Sequence, residues 1–186
     1  MRKTLFAVIV GLLLGAATVA TFATVTGQQK KTSPTRSERR EIREQRRAER
    51  LAAFEKFIDS IVLAHSFQFN PQTMQRQPAG PTRMINNPNY MLTLWNNTAD
   101  ICLPYVKGYT PPYYLTVINY TVSNLGNFIT EQTPEGWNVS FTNSLFSGTT
   151  YTFTFEISKK MGGATLTITN PWYSPVQYSG TITQVY

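Results

Sequence analysis

Thiol–imidazole catalysis would need Cys102 and His65, the single cysteine and the single histidine of the chain. A cysteine nucleophile acts as a thiolate and needs a base within hydrogen-bond reach. His65 falls at the end of a predicted helix, where an imidazole is ordinary. Cys102 stands between Ile101 and Leu103 and reads as a small buried side chain. Serine hydrolase chemistry would have only His65 as its base, and no Gly-x-Ser-x-Gly elbow occurs. Glycosidase chemistry needs two carboxylates across a cleft. The candidates are Asp100, Glu131, Glu135 and Glu156, but Glu131 and Glu135 flank a turn and Glu156 lies in a threonine row. One cysteine permits no intramolecular disulfide and no thiolate zinc cluster, although calcium held by backbone carbonyls stays open. These residues point to no enzyme, no cofactor and no His or Cys metal site.

The aromatic residues are the better candidates. Tyr105, Tyr109, Tyr113, Tyr114, Trp172 and Tyr173, with Trp95, lie at strand ends or in predicted loops, off the clean core-facing alternations. Such rings stack on sugars or line the mouth of an apolar pocket. Their competing use is to pack on neighbouring prolines and stiffen the loops.

The stretch that positions them runs from Asp100 to Tyr114. An apolar strand end, Ile101 and Leu103, meets Pro104, then Lys107-Gly108, then Pro111-Pro112 flanked by tyrosines. Each proline fixes φ and removes a donor, so the strand is expected to end at Pro104 and a rigid crossover to follow.

Charge is localised. The chain of 186 residues carries a net +7, of which residues 1–29 hold +2 and residues 30–50 hold +5. Residues 51–186 have six basic and six acidic groups and are neutral, which excludes a basic nucleic-acid-binding face on the domain.

Residues 1–27 read as a signal sequence: Arg2 and Lys3 precede an apolar run from Leu5 to Ala20 and then small residues. An uncleaved anchor is the competing reading, since the run approaches the ~20 residues that span a bilayer. No cysteine stands directly after the run, so the expected location is periplasm or cell envelope, without lipoprotein anchoring. Residues 28–35 form a polar linker, and Thr35 with Glu38 makes a capping box that opens a helix over residues 36–64. Its first half is charged all round, with Arg39, Arg43, Arg47 and Arg50 near one another on a face. That half would meet an anionic surface or an envelope protein, or simply stay solvated, because glutamates are interspersed. Its second half carries Leu51, Phe54, Phe57, Ile58, Ile61 and Val62 at helical spacing and must bury them.

From Ser66 the period changes to two. Tyr151, Phe153, Phe155 and Ile157 alternate with threonines, and Met161-Gly162-Gly163 marks a hairpin before Ala164, Leu166 and Ile168. Eight to ten such strands over residues 66–186 predict a mainly β protein. It would be a small antiparallel barrel or sandwich of lipocalin-like size, preceded by one long basic, amphipathic helix.

Leu103-Pro104-Tyr105, Pro111-Pro112-Tyr113, Gly163-Ala164-Thr165-Leu166-Thr167-Ile168 and Pro175-Val176-Gln177-Tyr178-Ser179-Gly180 occur in that order behind an Arg/Glu-rich helix. In this the chain resembles the exported Bacteroidetes family catalogued as domain of unknown function 4251, over roughly residues 39–184. It departs at Val106-Lys107-Gly108, where the family has an aromatic before the glycine. The resemblance implies an envelope location and no known catalytic role. Joined to the aromatic loops, it leads to the expectation of a non-enzymatic envelope protein that binds a small apolar molecule or a glycan. The alternative is an interaction protein that docks through the arginine helix.

Overall fold

The computed structural model describes residues 35–108, 111–145 and 148–185. The signal sequence and nearly all of the linker lie outside the described residues, as does Tyr109.

The capping box forms as the sequence demands. The Thr35 backbone N–H donates to Glu38 Oε2 at 2.7 Å, and Thr35 Oγ1 accepts from the Glu38 N–H at 3.5 Å. Helix α1 then runs Arg36–Leu63. It buries only Ile58, Ile61 and Val62, while residues 35–54 are exposed. One anchor fixes its approach to the sheet: Trp137 Nε1 donates to Asp59 Oδ1 at 2.7 Å, and Lys159 Nζ lies 3.3 Å from the same oxygen. The helix is therefore a projecting arm rooted by its last three turns.

Ten strands follow: β1 Phe67–Arg76, β2 Arg83–Met84, β3 Met91–Trp95, β4 Thr98–Lys107, β5 Tyr114–Ser123, β6 Gly126–Gln132, β7 Gly136–Leu145, β8 Thr149–Ser158, β9 Gly163–Thr169 and β10 Val176–Gln184. They form one antiparallel sheet in the order β5-β4-β3-β1-β10-β9-β8-β7-β6, with β2 beside β1. The alternation in β8 and β9 comes out as read: Tyr151, Phe153, Phe155, Ile157, Ala164, Leu166 and Ile168 are all buried.

The sheet curls until its halves face each other. Phe155 on β8 meets Phe67 and Phe69 on β1 at ring-centroid distances of 5.5 and 5.6 Å, although β10 and β9 intervene along the sheet. Tyr105 on β4 reaches Tyr151 on β8 at 6.0 Å, and Tyr178 on β10 donates to the Pro104 carbonyl oxygen at 2.6 Å. The apolar face is thus buried against itself, as in a sandwich.

The barrel alternative needs correction, because the sheet does not close. Its two edge strands, β5 and β6, are consecutive in the chain but unpaired with each other. Along the antiparallel path they run in the same sense, so Asn124-Leu125 carries the chain onward from one edge to the other. The Leu125 N–H reaches the Asn97 carbonyl oxygen at 3.4 Å, Gly126 then pairs with Thr142, and the Leu125 side chain is buried at the seam. Covalent continuity joins these edges where a barrel would use a hydrogen-bonded ladder.

A second correction concerns Pro104. Strand β4 does not stop there but continues to Lys107, with Pro104 opposite Val117 of β5. On its other side β3 pairs only as far as Cys102, so the missing proline N–H falls where no ladder partner stands.

Gly180 and Gly136 are among the glycines required by close backbone approach. A Cβ on Gly180 would lie 2.1 Å from the Asn70 carbonyl oxygen, beside the register shift at Pro71/Thr73, and one on Gly136 would lie 1.7 Å from that of Ile157. Gly180→Ala is expected to cost at least about 2 kcal/mol. Urea unfolding checks this, with Gly163→Ala, where a Cβ meets nothing within 4 Å, as the tolerated control.

Candidate binding surface

Three links gather at the end of the sheet remote from α1: residues 77–82, the described residues 108 and 111–113 between β4 and β5, and residues 170–175. Asn170 organises the last of them. Its Oδ1 accepts from the backbone N–H groups of Trp172 and Tyr173, each at 2.8 Å, and its Nδ2 donates to Tyr105 Oη at 2.9 Å. An asparagine folded onto the two following amides makes a rigid turn, and its third bond ties that turn to β4. Arg76 at the end of β1 ties the other links together. Its guanidinium carbon lies 4.0 Å from the Tyr113 ring centroid, and Nη1 donates to Ser174 Oγ at 3.4 Å. The Gln77 N–H donates to the Pro175 carbonyl oxygen at 2.8 Å.

The aromatic set divides by burial. Tyr105 is fully buried, so it is a core residue that braces the 170–175 turn and does not face a ligand. Burial is the main cause that pushes its hydroxyl well above the ordinary tyrosine range; neighbouring Tyr151 adds to the shift and the Asn170 bond opposes it. Tyr173 is half-buried and packs on the core. Trp172 and Tyr114 stand out, 67% and 65% exposed, and Tyr113 is 37% exposed under Arg76. Arg76 and Tyr113 also line a small cavity of about 60 Å³ with Met74, Pro81, Arg83 and Val106. The structure therefore brings Tyr113 and the Trp172–Tyr173 turn to one end. Arg76 and Asn170, which hold them there, were missed in the sequence: nothing in the spacing shows that residues so distant in the chain meet.

The interior leaves little for an apolar ligand. Phe67, Phe69, Phe141, Phe153, Phe155 and Tyr151 occupy the space between the sheet halves, each 0% or 1% exposed. A larger hollow of about 530 Å³ lies on the outer face of β7–β10, where Gly136, Gly163 and Gly180 leave the sheet without side chains. It brings Glu135 and Glu156 to one depression, a proximity that the sequence pattern did not reveal. Two of its three glycines are dictated by neighbouring backbone, so the hollow follows from strand geometry.

Cys102 and His65 occupy different neighbourhoods. Cys102 pairs with Met91 and Asn119 in the sheet. His65 packs on the Phe128 ring at 4.3 Å, with Nε2 3.3 Å from Thr130 Oγ1. Among the described residues no group of three or more His, Cys, Asp or Glu side chains could hold a metal ion. None of their helices is long and apolar enough to cross a membrane.

Fold and surface together define an open, curled antiparallel β protein with a helical arm and an aromatic-rimmed end. The family model for a domain of unknown function, DUF4251, matches residues 49–182, and the chain belongs to that family. A solved structure of a DUF4251 family protein from Bacteroides eggerthii superposes with a TM-score of 0.55 at 15% identity, covering 72% of this chain and 89% of that one. At that identity the likeness speaks for the fold alone. No curated protein matches the chain.

Proposed function

We propose that this is an exported, non-enzymatic protein of the cell envelope that binds a glycan at the aromatic end of its sheet. The observation behind this reading is the fastening of the exposed aromatic loops. Trp172 is held outward by a turn whose amides are both bonded to Asn170, and Arg76 bridges that turn to Tyr113. A ring fixed before binding loses little entropy when a sugar stacks on it. Arg76 and the neighbouring amide side chains would supply the polar contacts that orient such a ligand. A small apolar ligand is less well served at this end, because the interior is filled and the cavity beside Arg76 and Tyr113 is only about 60 Å³.

Retention on immobilised mannan, dextran and chitin oligomers tests the proposal. The intact protein should be retained by at least one of them. Trp172→Ala should weaken that retention about tenfold or more, roughly 1.4 kcal/mol, with an unchanged melting temperature. Equal retention by the variant would sink the glycan reading. The exposed arginines of α1 favour a second role, attachment to another envelope component, which uses different residues and coexists with the first.

A further inference from the structure

The arm's charges alternate along the chain but separate around the helix. At about 100° per residue, Arg36, Arg39, Arg40, Arg43, Arg46, Arg47 and Arg50 fall within one arc of about 120°. On the same count Glu38, Glu41, Glu44 and Glu49 occupy an arc of about 140° on the other side. Of the three residues that pack on the sheet, Ile58 and Val62 run between the two flanks, and Ile61 lies in line with the arginine flank itself, where the arm reaches the domain. The half-exposed rings of Phe54 and Phe57, 6.3 Å apart, continue the arginine flank toward the domain. Over residues 36–50 one flank of α1 is therefore cationic, although glutamates are interspersed in the chain.

We propose that this arginine flank, with Phe54 and Phe57 at its root, docks on a surface of anionic phospholipid. A row of guanidinium groups aimed to one side of a rod suits a flat array of phosphates, each able to take a bidentate pair of hydrogen bonds. The two rings provide the apolar contact that interfacial helices place among the headgroups, which a carboxylate-bearing protein partner would not require. The opposite glutamate flank faces away from the lipid and keeps the arm from lying either way up. The sequence adds proximity. Residues 21–35 join the arm to the apolar run Leu5–Ala20, a reach of at most about 50 Å at full extension.

Flotation of the full chain with phosphatidylethanolamine/phosphatidylglycerol vesicles and with phosphatidylcholine vesicles tests this. The apolar leader is present in every sample, so differences between variants report the arm. Preferential binding to the anionic vesicles is expected, falling as salt is raised. Arg43→Gln, Arg46→Gln, Arg47→Gln and Arg50→Gln together should weaken it about a hundredfold. Glutamine is a good helix former and these side chains are exposed, so the melting temperature should hold. The corresponding four lysine substitutions should keep most of the binding, and Glu38→Gln with Glu41→Gln should leave it undiminished. Equal flotation of the glutamine variant, equal binding to phosphatidylcholine, or displacement from anionic vesicles by a polyanionic glycan would each overturn the assignment.

Discussion

Replacing Phe155 by alanine should remove about 3–5 kcal/mol of stability, a large part of what a domain of this size possesses. The ring is fully buried and stands where the curled sheet meets itself. It packs edge-on against Phe67 at 88° and Phe69 at 77°, and lies 6.4 Å from Phe141. Truncation would forfeit these ring contacts and leave a cavity that β1 and β8, separated along the sheet by β10 and β9, cannot readily close. Urea unfolding should show a lower midpoint with an unchanged slope. Tyr114→Ala, on the exposed edge strand, should stay within about 0.5 kcal/mol of the parent. A loss of less than about 1 kcal/mol at Phe155 would mean that the two halves of the sheet do not pack face to face.

Stability should also fall steeply above pH 10. Burial pushes the hydroxyls of Tyr105, Tyr151 and Tyr178 above the ordinary value of 10.0, and a nearby tyrosine adds to the shift in each case. In the unfolded chain these groups ionise near that ordinary value, whereas in the folded protein they keep their protons. Above pH 10 the folded state therefore binds more protons, and unfolding becomes easier as pH rises. The full contribution is present below pH 10 and is lost progressively until each folded value is passed. Each tyrosine adds at most about 1.4 kcal/mol per pH unit within that window. The three together set an upper bound on the slope of about 4 kcal/mol per pH unit, approached only where their windows overlap. Urea midpoints across this range, with tyrosinate absorbance as the second probe, check the slope. Tyr178→Phe should reduce it by about a third, although the variant starts less stable because the Pro104 carbonyl loses its donor. A flat profile to pH 12 would contradict the buried placement of these rings.

Local structure was legible where one physical rule acted alone. The capping pair Thr35 and Glu38 marked the helix start, and the two-residue alternation from Tyr151 to Ile168 marked strands and buried faces together. Pro104 misled because a proline is costly only where its missing N–H would have met a partner, and β3 has already ended there. Closure was illegible for a related reason. Strand count and alternation are the same for a barrel and for a sheet whose edge strands are joined end to end through Asn124-Leu125.

The site was half legible. Exposed Trp172, Tyr113 and Tyr114 were found because aromatic residues off the core alternation stand out against proline-rich loops. Tyr105 was misjudged since the strand was expected to end before it, and a strand continued through Pro104 carries it into the core. Arg76 and Asn170 act across the fold and left no local signature. The arginine flank was present in the sequence all along. Arg39, Arg43, Arg47 and Arg50 were already legible as one face; the full set of seven and its separation from the glutamates appear when every residue is wound at helical pitch.

The most direct test of glycan binding at this end is oxidative footprinting of the tryptophans, read by mass spectrometry, with and without the oligosaccharide that the protein retains. Met161, 82% exposed and far from the aromatic end, is the internal reference. Bound sugar should slow oxidation of Trp172 severalfold and leave Met161 unchanged. Unaltered oxidation of Trp172 under saturating sugar would contradict the account and move the binding site elsewhere on the protein.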